Sequence, residues 1–119
     1  MLFESLLCHL VGDYWLQNDW MALNKKKNAL IALTHSLVYT IPFLFITQSF
    51  WALFVICITH ALIDGTDLVH RLNRIKNWNF NTDDGYDSER PIWLTVWLII
   101  LQDNTLHLLL NYLALRYLG

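Results

Sequence analysis

The sequence predicts an all-α protein: a four-helix transmembrane bundle with up-and-down topology and one polar loop facing the cytoplasm. Hydrophobic residues make up 55 % of the 119-residue chain and charged residues only 15 %, whereas a soluble domain has roughly 25 % charged residues. Four apolar stretches approach or exceed the length of about 20 residues that crosses a bilayer. Within a single domain of residues 1–119, the predicted spans cover about residues 1–20, 29–47, 50–69 and 91–118.

The first two segments are apolar with few polar interruptions. Segment one carries His9 and Asp13 at helical spacing, and no basic leader or small-residue cleavage site precedes it, so we expect it to stay in the protein as an anchor. The lysines at 25–27 separate it from segment two. Segment two is apolar apart from His35 and small hydroxyl residues, which makes it the clearest predicted span.

The third and fourth segments flank the most polar part of the chain. Segment three is uniformly apolar in its first half and carries His60 and Asp64 in its second half. The stretch at about 73–90 is too polar for a span and rich in turn-forming residues. Pro91 suits the first turn of a helix, and segment four begins there. Segment four is longer than a membrane crossing needs, so we expect part of it to protrude or tilt.

The basic residues predict which face of the bundle meets the cytoplasm. Lysines and arginines occur in the loop between spans one and two and in the loop between spans three and four, and the linker between spans two and three has none. An up-and-down bundle places both basic loops on one side. The positive-inside rule makes that side cytoplasmic and puts both termini on the opposite side.

Composition also excludes two classes of site. The formal net charge is −2 and only eight lysines and arginines are present, too few for the basic face that nucleic-acid binding requires. We therefore predict no nucleic-acid partner. Cys8 and Cys57 lie in apolar runs without CxxC spacing, which indicates packing residues rather than a disulfide or a zinc motif.

Ionisable residues inside the apolar segments are the most informative feature. Three pairs lie four positions apart, a spacing that places both members on one helix face. A central Asp costs about 2.5–3.5 kcal/mol in hydrocarbon, so we expect these side chains to point into the bundle. Counting inward from the basic loops at about 1.5 Å per residue places them in one layer near the membrane midplane. The set comprises His9 with Asp13, His60 with Asp64, Asp103 with His107, and the single His35.

Imidazole and carboxylate groups from facing helices predict a divalent metal site for zinc, manganese or iron, formed by all seven of these residues. A metal-activated water can attack a phosphoester or a lipid-linked substrate. In this hypothesis Asp13 and Asp103 are the catalytic carboxylates that take the proton. Gln17, Lys25 and Lys26 bind the anionic group of a substrate that arrives from the cytoplasmic side.

Other interpretations of the same residues stay open. The Asp and His side chains can simply neutralise one another across the core. A metal-ion or proton transporter, in some cases a homo-oligomer, uses the same side chains as successive binding sites along an ion pathway. A non-enzymatic bacterial or phage protein that interacts within the lipid bilayer needs them only to fix helix register. A soluble metal-binding bundle is a further alternative.

Four short motifs resemble a known family. They are HLVGDYWLQ at 9–17, THS at 34–36, THALID at 59–64 and QDNTLH at 102–107. In order and spacing they resemble the domain of unknown function DUF3307, a family of small bacterial and phage membrane proteins, over nearly the whole chain. The resemblance implies a multi-pass protein of the bacterial inner membrane. The polar loop after segment three is longer than expected for that family.

A second likeness concerns chemistry. Thr34-His35-Ser36 and the pair His60 and Asp64 are similar to motifs of inner-membrane metal-dependent hydrolases of the YdjM type. This likeness implies metal-dependent hydrolysis. It implies no particular substrate, because neither family name supplies one.

Overall fold

The chain is helical throughout the described part. The computed structural model describes residues 2–119, and no β-strand occurs within that range. This confirms the predicted all-α class. The elements are α1 (Leu2–Leu10), a π-helical turn (Val11–Trp15), α2 (Asp19–Asn24), α3 (Ala29–Thr40) continued by a 3-10 turn (Ile41–Phe45), α4 (Phe50–Gly65), α5 (Leu68–Lys76) and α6 (Ile92–Leu118).

The first predicted span is not one continuous helix. After α1 and the π-helical turn the chain leaves helical geometry, and Asn18 adopts an extended backbone. The Asn18 side chain accepts a hydrogen bond from the backbone N–H of Met21 at 2.9 Å and so begins α2. Asn28 caps α3 in the same way through the N–H of Leu30. These short amide side chains satisfy exposed backbone donors, which favours a new helix start over continuation.

The third predicted span and the polar loop also have different boundaries. Helix α4 ends at Gly65, because Thr66 adopts an extended backbone. Lys26 Nζ donates to the carbonyl oxygens of Asp64 at 3.1 Å and Thr66 at 2.7 Å, which satisfies acceptors that a helix end leaves unpaired. Helix α5 follows, so the first four residues of the predicted loop at 73–90 belong to a helix.

Length and composition single out α6 as a candidate membrane span. It has 27 residues, and only 11 % of its most apolar 18-residue stretch is buried, whereas the core helix of a soluble protein is mostly buried. Helices α4 and α5 are long and apolar enough to cross a membrane only if they are taken together as one broken span. Among residues 2–119, therefore, one helix is long and apolar enough to cross a membrane, or two if the broken pair counts as one span. The sequence had predicted four spans.

The first compact unit contains residues up to 66 together with 107–119. In it α3 packs against α4, and the π-helical turn packs against α3. Its apolar core includes Tyr39, Phe43 and Ile56. Cys8 and Cys57 are buried and form no disulfide with each other, which agrees with the prediction that they are packing residues.

The second unit contains residues 67–106. Its loop is folded around Tyr86, a buried ring with Lys76 Nζ at 5.1 Å and the Arg90 guanidinium at 4.6 Å from its centroid. Asn73 Nδ2 donates to Gln102 Oε1 at 2.9 Å. Two cation–π contacts and a partly buried hydrogen bond between amide side chains thus stabilise this unit.

Candidate metal centre

Four buried side chains of the first unit bring one ligand atom each to a common point. His35 Nε2 lies 3.1 Å from Asp13 Oδ1 and 3.1 Å from Asp64 Oδ2. His60 Nε2 lies 2.8 Å from His35 Nε2, 3.1 Å from Asp64 Oδ2 and 3.6 Å from Asp13 Oδ1. All four ligand atoms lie within 4.8 Å of one another. We call these four residues the His/Asp cluster.

The spacing of these atoms suits a divalent metal ion. Four ligands at about 2.0–2.1 Å from a tetrahedral zinc ion lie about 3.3–3.4 Å from one another. Five of the six separations among the ligand atoms are 2.8–3.6 Å, which brackets that value. Two imidazoles and two carboxylates also form a ligand set typical of zinc, manganese and iron sites. The residues present therefore fit a metal ion.

Hydrogen bonding alone does not satisfy the cluster. His35 Nε2 has three nitrogen or oxygen neighbours at 2.8–3.1 Å, yet a ring nitrogen carries at most one hydrogen. Its three contacts therefore cannot all be full hydrogen bonds in any one protonation state. A cation held by the four atoms engages all of them at once.

The π-helical turn positions Asp13. Such turns are rare and occur frequently at functional sites. Gly12, the residue before the ligand, lies directly against α3: a Cβ at this position would be 2.7 Å from Tyr39 Cδ2 and 2.8 Å from the Tyr39 carbonyl oxygen. Glycine therefore permits the close approach that brings Asp13 to His35.

The three residues predicted to bind substrate lie at the edge of the cluster. Lys25 Nζ donates to Asp64 Oδ2 at 2.8 Å and to Gln17 Oε1 at 2.8 Å. The Lys25 side chain is 17 % exposed, whereas Asp64 is 4 % exposed, so Lys25 connects the cluster to the surface. Lys26 bonds to backbone carbonyls at the end of α4, which gives it a structural contact.

His107 bridges two members of the cluster. Its Nδ1 lies 3.2 Å from His60 Nδ1, and its Nε2 lies 3.0 Å from Asp64 Oδ1. If His60 Nε2 held a metal, its Nδ1–H would be free to donate to His107 Nδ1, and the Nε2–H of His107 would donate to Asp64. Such outer partners fix the tautomer and orientation of metal ligands.

Replacement of His107 by leucine should weaken metal binding. Loss of an outer partner typically reduces metal affinity roughly 10–100-fold, because His60 and Asp64 each lose the group that orients them. Chelator competition on detergent-purified protein measures the change. Asn111→Leu is the matched control, since it removes a buried polar group one turn further along α6 that hydrogen-bonds to Tyr39. Equal affinities for the two variants would contradict the bridging role.

A second polar layer lies next to the cluster. The Tyr39 hydroxyl accepts a hydrogen bond from Asn111 Nδ2 at 2.7 Å and shares a second hydrogen bond with His9 Nδ1 at 2.7 Å. The Tyr39 ring stacks on the His60 ring, with centroids 3.6 Å apart and planes 11° from parallel. His9, predicted as a metal ligand, is placed in this second layer and pairs with Tyr39.

Two residues of this layer were not predicted. Tyr39 lies four positions after His35, and Asn111 lies four positions after His107. Each therefore shares the helix face of a predicted site residue. Extension of the same spacing by one turn would have found both.

Asp103 lies on α6, four positions before His107. It is half-buried and belongs to the second unit, whereas the His/Asp cluster belongs to the first. It shares α6 with His107, which contacts the cluster.

Comparison with known proteins gives one match. The family model described as "Protein of unknown function (DUF3307)" matches residues 1–110. No curated protein and no solved structure matches the chain. The matched range includes the whole His/Asp cluster and His107.

Proposed function

The chain belongs to the DUF3307 family, and from that premise we propose that it is a membrane-bound metalloprotein whose His/Asp cluster holds a divalent metal ion for hydrolysis of a phosphoester or lipid-linked substrate. The proposed setting is the bacterial cytoplasmic membrane. The single observation that carries the proposal is the convergence of Asp13, His35, His60 and Asp64 on one point. Buried ionisable groups with shared partners are typical of functional sites.

The distribution of polarity in the first unit supports membrane insertion. The cluster residues are buried, while large apolar side chains such as Leu30, Phe45 and Phe50 are mostly exposed. A soluble protein rarely exposes this many large apolar side chains. In lipid the arrangement is favourable, because apolar side chains face hydrocarbon and ionisable groups satisfy one another inside.

The residues of the chain have distinct roles in the proposed reaction. A divalent ion supplies Lewis acidity, which activates water and polarises a phosphoryl oxygen. His35, His60 and Asp64 hold the ion. Asp13 can both ligate and accept a proton, and Asp103 is the second candidate proton acceptor. Lys25, held by Gln17 at the exposed edge of the cluster, is placed to bind the anionic group of the substrate.

Metal analysis and hydrolysis assays together test this proposal. Detergent-purified protein should retain close to one divalent metal per chain, and less than about 0.1 per chain would contradict a metal site. Release of the alcohol leaving group from a synthetic phosphodiester, and release of an alcohol and a phosphomonoester from a phospholipid, should require that metal. Lys25→Met should retain the metal and raise KM, whereas Asp13→Asn should lose both metal and activity. Activity that survives metal removal would contradict the mechanism.

A metal-ion or proton transporter is the second candidate, and the second polar layer favours it. His9, Tyr39 and Asn111 continue the line of buried polar groups beyond the cluster. Polar residues that line up inside a membrane bundle mark ion pathways in many transporters. Flux measurements in liposomes distinguish the two functions. An ion flux that His60→Ala abolishes would support transport and end the hydrolase proposal.

A further inference from the structure

Helix α5 in the second unit presents its apolar side outward. Asn73 is 2 % exposed and bonds to Gln102, whereas Leu72 and Ile75 are 49 % and 62 % exposed. An amphipathic helix of a water-soluble domain buries its apolar stripe and exposes its polar one. In α5 the buried residue is instead Asn73, while Leu72 and Ile75 are exposed, so much of this apolar stripe is left uncovered within the second unit.

The end of α5 carries a strained tryptophan. The N–H of Asn79 donates to the Arg74 carbonyl at 3.0 Å, and the N–H of Trp78 donates to the Ile75 carbonyl at 3.2 Å, which together form a Schellman motif. Trp78 adopts φ +49° at the position that glycine usually occupies. Its indole is 81 % exposed and lies edge-on to the Phe80 ring, with centroids 5.4 Å apart. Backbone strain thus presents two aromatic rings at the surface.

Positive charge flanks this apolar stripe. On the helical wheel Arg71 lies on one side of Leu72 and Ile75, and Lys76 lies on the other. An open groove of about 450 Å³ is lined by Arg71, Arg74, Ile75 and Phe80. Asp67 contacts Arg71 Nε at 2.8 Å and Arg74 Nη2 at 3.5 Å. Each guanidinium has five N–H donors, so one carboxylate engages only part of them.

We propose that α5 and the segment through Phe80 lie in the plane of the membrane surface and bind phospholipid. The apolar stripe and the two aromatic rings enter the acyl boundary, and Arg71 and Arg74 contact lipid phosphates. An apolar stripe, flanking cations and a tryptophan at the boundary are the pattern of interfacial helices. Cations beside the stripe can reach the headgroups while their stems stay in apolar surroundings. The proposal depends on the membrane setting and not on the metal.

Spin labels on the full chain in phosphatidylcholine–phosphatidylglycerol nanodiscs test the position of α5. A label at Ile75→Cys should collide with oxygen, which partitions into lipid, more than with water-soluble chromium oxalate. A label at Ser88→Cys, an exposed position of the same unit, should show the opposite preference. The unsubstituted chain, whose cysteines are buried, gives the labelling background.

Two results would overturn the proposal. Accessibility of the Ile75→Cys label to chromium oxalate equal to that of Ser88→Cys would place the stripe in water. Protection of this label from both reagents would show that protein covers the stripe, either a second copy of the chain or another partner. Metal content is measured on the same samples, so that either result can be distinguished from failure of the proposed metal site.

Trp78→Gly separates lipid contact from folding. Glycine adopts positive φ without strain, so the variant should unfold at the same temperature as the parent or higher. Loss of the indole should nevertheless move the Ile75→Cys label toward water, with a severalfold rise in its collisions with chromium oxalate. Unchanged accessibility in a stable variant would show that Trp78 is not a lipid anchor and would contradict the proposal.

Discussion

Replacement of His60 by alanine is expected to abolish metal binding, with a loss of affinity larger than the roughly 10–100-fold that follows removal of an outer partner. His60 supplies a ligand nitrogen within 2.8–3.6 Å of three other ligand atoms. Without it three ligands remain, and the Nδ1 of His107 loses its neighbour. Metal content by mass spectrometry and chelator competition report the loss.

Two further variants keep this result interpretable. His60→Ala removes a ring that stacks on Tyr39, and this loss can impair folding. Asp64→Asn preserves the shape of a second ligand and removes only its charge, so it should lose the metal without that packing defect. His70→Ala is the matched histidine control, since His70 lies on α5 outside the cluster. Full metal content in both His60→Ala and Asp64→Asn would disprove the four-residue site.

Gly12→Ala is expected to destabilise the first unit and to weaken metal binding at the same time. The added methyl would lie 2.8 Å from the Tyr39 carbonyl oxygen and 3.1 Å from the Tyr39 Cα, and backbone atoms cannot rotate away. Overpacking of this kind costs about 1–3 kcal/mol. Separation of the π-helical turn from α3 would also carry Asp13 away from His35. Thermal unfolding in detergent and metal titration measure the two effects.

Gly65→Ala provides a graded comparison. Its added methyl would lie 3.1 Å from the Ala32 Cβ, a side-chain contact that small shifts can relieve. It should therefore lower the unfolding temperature less than Gly12→Ala and leave metal affinity nearer the parent value. An unfolding temperature for Gly12→Ala equal to that of the parent would show that the close approach is not required.

The sequence predicted the helical class correctly and located helix boundaries less well. Low charge and long apolar stretches are sums over many residues, so they tolerate local irregularity. Boundaries depend on single side chains: Asn18 begins a new helix, and Thr66 ends α4. Such capping competes with helix propagation by small free energies, which average hydropathy does not register.

The candidate site shows the same limit. Four-residue spacing correctly brought His60 and Asp64 together because α4 is a regular helix across that pair. The same spacing predicted that His9 and Asp13 share a face, but a π-helical turn begins at Val11. A π-helical turn holds more residues per turn than an α-helix, so the two side chains point to different partners. His9 contacts Tyr39, and Asp13 contacts His35.

The Tyr39 side chain also couples three other helices to α3. Its two hydrogen bonds run to α1 and α6, and its ring rests on α4, while Tyr39 itself is on α3. Loss of any one of these contacts would weaken the others, because they share one ring and one hydroxyl group. We therefore expect the polar interior to unfold as one cooperative unit.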